Sequence, residues 1–144
     1  MEVQPLTLQG RHVRLEPLTL AHTEPMFAAA ADQELWRWTL TQIASVADMR
    51  KYVDAALDAQ RAGTALPFAT VDAATGDVIG STRFGNIDLS NRRVEIGWTW
   101  LRRDRQRTAC NTEAKYLMLG HAFDVLGCIR VELKTDALNQ QSRA

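Results

Sequence analysis

The residues best suited to chemistry lie between Trp98 and Ala114, in the run Trp98-Thr-Trp-Leu-Arg-Arg-Asp-Arg-Gln-Arg-Thr-Ala-Cys-Asn-Thr-Glu-Ala114. A strand-like segment ends, a turn carrying Arg102, Arg103, Arg105 and Arg107 follows, and a helical pattern begins near Asn111. The first backbone N–H groups of a helix have no internal partner, and the helix dipole adds partial positive charge at that end. A phosphate resting there is stabilised by the backbone alone. Arginines ahead of the helix add charge-assisted, often bidentate, bonds to phosphate oxygens. The combination suits a diphosphate; the plain alternative is a solvated turn leading into an ordinary amphipathic helix. Neither GxxxxGK[ST] nor GxGxxG occurs, so the common phosphate loops are excluded.

Other reactive residue types are isolated. Cys110 and Cys128 show no CxxC spacing and no histidine in metal-ligand register, which favours two reduced thiols over zinc or a disulfide. His12, His22 and His121 suggest neither a triad nor a metal site, and His121 beside an apolar stripe reads as a packed histidine. The formal net charge is zero, which argues against a general nucleic-acid or membrane-surface binder, since both need a basic excess. No apolar run approaches the ~20 residues of a membrane span, and no secretory signal opens the chain. A cytoplasmic protein is expected.

The elements that must position the arginine turn follow from hydrophobic period. Residues 1–144 read as one domain. A strand is expected over Val13–Pro17, then a helix capped by Thr19 and running to about Asp32. Glu34–Trp38, with two tryptophans, suits either a core lid or a substrate pocket. Ser45 and Asp48 form a capping pair for a helix with Met49, Tyr52, Val53, Ala56 and Leu57 on one face, ended by Gly63. Alternation then predicts strands over Leu66–Val71, Val78–Ile87 and Val94–Leu101, joined by short turns into an antiparallel meander. A helix over Thr112–Leu126, with Ala114, Leu117, Met118, Ala122 and Val125 as its stripe, precedes a strand at Cys128–Lys134. A further helix opens in Ala137–Ala144. The fold class is mixed α/β (α+β), with order β-α-α-β-β-β-α-β-(α).

The segment Gln106-Arg-Thr-Ala-Cys-Asn111, followed by Thr112-Glu113-Ala114, resembles the acetyl-CoA signature Q/R-x-x-G-x-G/A of the GNAT superfamily of N-acetyltransferases. It departs from the pattern at Ala109 and Asn111. Ala109 is a mild change where φ is negative and a strained one where the turn needs φ > 0. Leu8–Leu18, Val94-Glu-Ile-Gly-Trp98 and Thr135–Ser142 resemble the RimJ/RimL-type branch, so the likeness covers the whole chain in order.

The resemblance implies a mainly antiparallel sheet flanked by helices and lacking the last two strands of the family. It implies an N-acetyltransferase that moves an acetyl group from acetyl-CoA to a primary amine, on a protein N-terminus or a small molecule, by direct attack. The pantetheine arm of the cosubstrate would bond the backbone of Trp98, Thr99 and Trp100, with Cys128–Lys134 as the facing wall. Gln106, Arg107, Thr108, Ala109, Cys110, Asn111 and Thr112 would form the diphosphate loop, and Asn139 would bond the arm. Glu95 matches a strand glutamate that serves as base, its plain alternative being a solvated or Arg-paired glutamate. Ser142 matches a serine proposed to protonate the departing thiolate, its alternative being a surface serine. The chemistry needs no covalent enzyme intermediate, so Cys110 is not expected to act as a nucleophile. An exposed edge at Cys128–Lys134 would favour a homodimer by strand exchange, marginal stability, or a longer parent protein. The competing readings are a non-catalytic, truncated CoA-binding or interaction module and an RNA-contacting module, the latter disfavoured by charge.

Overall fold

A computed structural model describes residues 3–30, 43–106 and 108–133. The expected features at Glu34–Trp38, Arg107, Lys134, Asn139 and Ser142, and the helix after Thr135, lie outside those residues. A six-stranded sheet runs in the order β1 (Leu8–Gln9), β2 (Val13–Pro17), β3 (Leu66–Asp72), β4 (Val78–Asp88), β5 (Arg93–Leu101), β6 (Arg130–Leu133). Neighbours are antiparallel from β1 to β5, and β5 with β6 is parallel. Helices α1 (Thr23–Ala29) and α2 (Val46–Arg61) pack on one face, and α3 (Ala109–Gly120) packs on the other. Because strand side chains alternate between faces, the meander supplies both cores. Val13, Leu15, Phe68, Phe84, Val94 and Ile96 meet α3, while Ala69 and Trp100 meet Met26, Met49 and Val53.

The element starts are chemically explained. Ser45 Oγ accepts the Asp48 N–H at 3.1 Å and starts α2; Asp48 reaches back to the Ala44 N–H at 3.0 Å rather than to the Ser45 N–H of a standard capping box. Gly63, at φ +81°, ends that helix. Thr19 precedes a 3-10 turn, Leu20–His22, that leads into α1, and His22 Nδ1 accepts the Thr19 N–H at 3.0 Å. The described part of that helix closes at Ala29 rather than near Asp32.

Two expectations are corrected around α3. Its N-cap is Thr108, whose hydroxyl accepts the Cys110 N–H at 3.3 Å, so the helix starts three residues before Thr112. A π turn, His121–Val125, follows Gly120, and the Leu126 N–H reaches the His121 carbonyl at 2.9 Å. The extra residue in that turn shifts the phase of the stripe. Val125, expected in the core, is 70% exposed, and Leu126 is buried in its place. The last strand is also shorter than expected at its start: Cys128 is buried in the turn before it, and pairing begins at Arg93↔Arg130.

Candidate active site

Two bulges shape the middle of β4 and β5. Ser81 pairs with Trp100 and Arg83 with Gly97, so Trp98 and Thr99 together face Thr82. Trp98 takes a left-handed φ of +53°, uncommon for a bulky residue and accommodated by the bulge. The Thr82 and Thr99 hydroxyls meet at 2.8 Å and fix the bulge on the α3 side. The Trp98 ring lies over Gly85 on the opposite side, where a Cβ on Gly85 would come within 2.2 Å of the indole. Nearby, Gly85 pairs with Glu95 and Asp88 with Arg93, which leaves Asn86 and Ile87 opposite Val94. Asn86, at φ +45°, donates its amide to the Glu95 carboxylate. Glu95 is partly exposed on the α1/α2 face, and among the described residues its carboxylate meets Asn86 and no arginine; Arg93 pairs with Asp88 at 3.4 Å.

The bulge falls immediately after the described β5–β6 ladder, which ends at Ile96↔Leu133. Of the three residues expected to offer backbone to a pantetheine arm, Trp98 and Thr99 form the bulge. The Trp100 side chain is buried in the α1/α2 core, which anchors the strand there.

The loop that follows is held chiefly by its own charges. Arg102 Nε donates to Asp104 at 2.7 Å, and Arg105 bonds Asp72 at 2.9 Å and Asp104 at 3.1 Å. Hydrogen bonds from the Ala74 N–H, opposed by burial and aided by Arg105, hold the Asp72 carboxyl below the usual carboxylate range. Gln106 Nε2 donates to the Leu101 carbonyl at 3.1 Å, and the Arg102 N–H reaches the Ile79 carbonyl at 2.6 Å. Arg102 and Arg105, read from sequence as phosphate ligands by charge, therefore serve first to fold the loop.

The helix terminus itself is well formed. Ala109 is the first residue of α3, and neither it nor Asn111 has positive φ, so the departure from glycine at Ala109 carries no backbone strain. Thr108 donates its hydroxyl to the Arg105 carbonyl at 2.5 Å, joining loop to helix. The Cys110 N–H meets Thr108 Oγ and the Asn111 N–H meets the Thr108 carbonyl at 3.2 Å, so a diphosphate here would share these donors with the cap. Cys110 is buried against the β1–β2 turn, and Thr112 is exposed. Glu113 points away from the loop and accepts the His12 and Val13 N–H groups at 2.7 and 2.9 Å.

His121 is buried beside Phe84, ring centroids 6.1 Å apart, and burial lowers its pKa, so it is a neutral core residue. Burial raises the Cys128 thiol. Among the described residues no group of three or more His, Cys, Asp or Glu is placed to hold a metal, and no helix is long and apolar enough to cross a membrane. Sequence reasoning missed Asn86 as the partner of Glu95. The available signal was Gly85-Asn86 inside a strand pattern, a common mark of a bulge.

A mixed, curled sheet with a bulged central strand that feeds a capped helix through a turn is the architecture of the GNAT acetyltransferases. The acetyltransferase (GNAT) domain matches residues 12–144, and the chain belongs to that family. It is 26% identical over 137 residues to an uncharacterized N-acetyltransferase p20 of Bacillus licheniformis, covering 94% of this chain and 76% of that one. A crystal structure of a GCN5-related N-acetyltransferase from Brucella melitensis superposes with a TM-score of 0.79 at 31% identity, over 88% of this chain. This chain spans only 58% of the length of the Brucella protein. RimL, a ribosomal L7/L12 alpha-N-protein acetyltransferase, shares the fold with a TM-score of 0.80 over 98% of this chain and 77% of its own, at 19% identity.

Proposed function

We propose that this protein transfers an acetyl group from acetyl-CoA to a primary amine, on a protein N-terminus or a small molecule, in the manner of the RimJ/RimL-type branch. The observation that carries the reading is the bulge at Trp98–Thr99, set between the end of the β5–β6 ladder and the capped start of α3. Such a bulge turns backbone groups out of the ladder, where they can bond an extended ligand. A pantetheine arm beside Trp98–Trp100 would deliver its diphosphate to the Gln106–Thr112 turn, with Arg107 adding charge and Asn139 bonding the arm.

Glu95 is the general base. It takes a proton from the ammonium group of the acceptor, directly or through a water, and the freed nitrogen lone pair attacks the thioester carbonyl carbon. A backbone N–H of the bulged strand meets the oxyanion. The tetrahedral nitrogen then gives up its second proton as the C–S bond breaks and the amide forms, and that proton reaches the departing CoA thiolate through the Ser142 hydroxyl, which donates one proton and regains another. Asn86 orients the Glu95 carboxylate through its amide. The cytoplasm, where acetyl-CoA is made and used, suits this chemistry.

Calorimetry with acetyl-CoA tests binding, with Arg107→Glu expected to weaken it. An assay of CoA release across amine acceptors tests turnover. Glu95→Gln should lower kcat by roughly 10²- to 10⁴-fold while acetyl-CoA affinity stays at the wild-type value. Tight binding with no turnover of any acceptor would replace this reading with a non-catalytic CoA-binding module.

A further inference from the structure

We propose that Arg83 is a specificity residue for the acceptor, and that the amine accepted here carries a carboxylate. The inference rests on the acetyl-transfer reading above. Arg83 pairs with Gly97 across β4 and β5, and Gly85 pairs with Glu95. Arg83 and Glu95 are therefore diagonal neighbours on one face of the sheet, about 7–8 Å apart along the backbone and somewhat closer at Cβ by antiparallel geometry. A base and a cation that rise from neighbouring positions on one face match an acceptor that carries both an amine and a carboxylate.

The guanidinium is held by rings. Its carbon lies 5.0 Å from the Trp98 ring centroid and 5.6 Å from that of Tyr52, inside cation–π range. Elsewhere Arg14, Arg93, Arg102, Arg105 and Arg130 each meet a carboxylate. Among the described residues Arg83 meets none. Aromatic contact fixes the plane of a guanidinium but does not consume its N–H donors, which radiate in that plane. A partly exposed arginine positioned this way presents a fork for a planar anion, and carboxylate fits the fork bidentately. The clamp is built into the backbone: Trp98 reaches Arg83 because its φ is left-handed and because Gly85 leaves room for the indole.

The test compares acceptors that differ only in the carboxylate. Single amino acids are set against their amides, and dipeptides with an acidic second residue and an amidated end against the neutral amide analogue. The first pair reports a small-molecule acid and the second an acidic peptide. A preference for the acid of about 10- to 100-fold in kcat/KM is expected in at least one pair, carried mainly by KM. In Arg83→Gln the ratio should fall to about one while acetyl-CoA affinity is unchanged, and Arg83→Lys should recover part of it. Equal kcat/KM for acid and amide in the wild type, or a preference that survives in Arg83→Gln, overturns the proposal. If no acceptor turns over, the acetyl-transfer reading fails separately. Calorimetry with the same acids then decides: binding lost in a folded Arg83→Gln supports the anion site, and no binding to the folded wild type removes it.

Discussion

At the scale of single residues, the side chains that look reactive in the sequence and those that hold the structure change places. Glu113 belongs to the segment aligned with the cosubstrate signature, yet its carboxylate closes the turn before β2 through the His12 and Val13 N–H groups. Gly10 lacks a Cβ where that carboxylate passes, and a Cβ there would lie 2.1 Å from Glu113 Oε1. Hydrogen bonds to a charged acceptor contribute more than neutral ones. Glu113→Gln should therefore lower stability by about 1–2 kcal/mol in urea unfolding, with acetyl-CoA affinity little changed. Gly10→Ala should do the same by displacing the carboxylate. Neither residue advertised this role, because the two ends of the contact are about a hundred positions apart and local pattern carries no information about such pairs. Glu95 enters as a candidate only through the resemblance of its strand to that of the family. Asn86, its partner, was not legible, because a bulge is needed to bring the amide onto the carboxylate.

At the scale of elements, period and capping chemistry were enough to locate β2, α2 and the meander, whose observed limits differ by no more than a residue from those expected. The failures cluster at α3. Thr108 was read as part of a phosphate loop, although a threonine ahead of a helix is also a cap, and that second role fixes the start. At the other end the uniform 3.6-residue period led to Val125, because a π turn leaves no compositional mark. The shift makes a sharp prediction. Val125→Asp, at a position 70% exposed, should leave the melting temperature within a degree or two of wild type. Leu126→Ala, in the core with Cys110, Met118 and Cys128, should cost about 2–4 kcal/mol by denaturant unfolding. If Val125 proved the costlier of the two, the π turn would not exist in solution.

At the scale of the molecule, two buried or half-buried carboxylates tie the loops around the start of α3 to the sheet. Asp72, at the end of β3, holds the β3–β4 turn through the Ala74 N–H and the arginine loop through Arg105. Glu113 holds the turn before β2. Burial pushes the Glu113 carboxyl up, but the N–H groups of Val13, His12 and Arg11 outweigh it and bring it below its ordinary 4.5. Asp72 likewise lies below its ordinary 3.8, led by the Ala74 N–H. A carboxylate whose folded pKa is depressed stabilises the fold fully above its unfolded pKa, and the contribution is lost as pH falls through the folded value. The unfolded chain binds more protons across that window, so stability falls with acid rather than rising. Hydrogen exchange between pH 7 and pH 3 should therefore show protection at residues 10–13 and 102–106 failing before protection in β3 and β4. In Asp72→Asn combined with Glu113→Gln, those loops should already exchange quickly at pH 7, with little further change on acidification. Loops that kept their wild-type pH dependence in the double variant would show that other groups carry the acid response. Where the loops loosen first, acetyl-CoA affinity should fall at a pH at which the meander is still folded, because the turn that presents the α3 terminus depends on Asp72 for its shape.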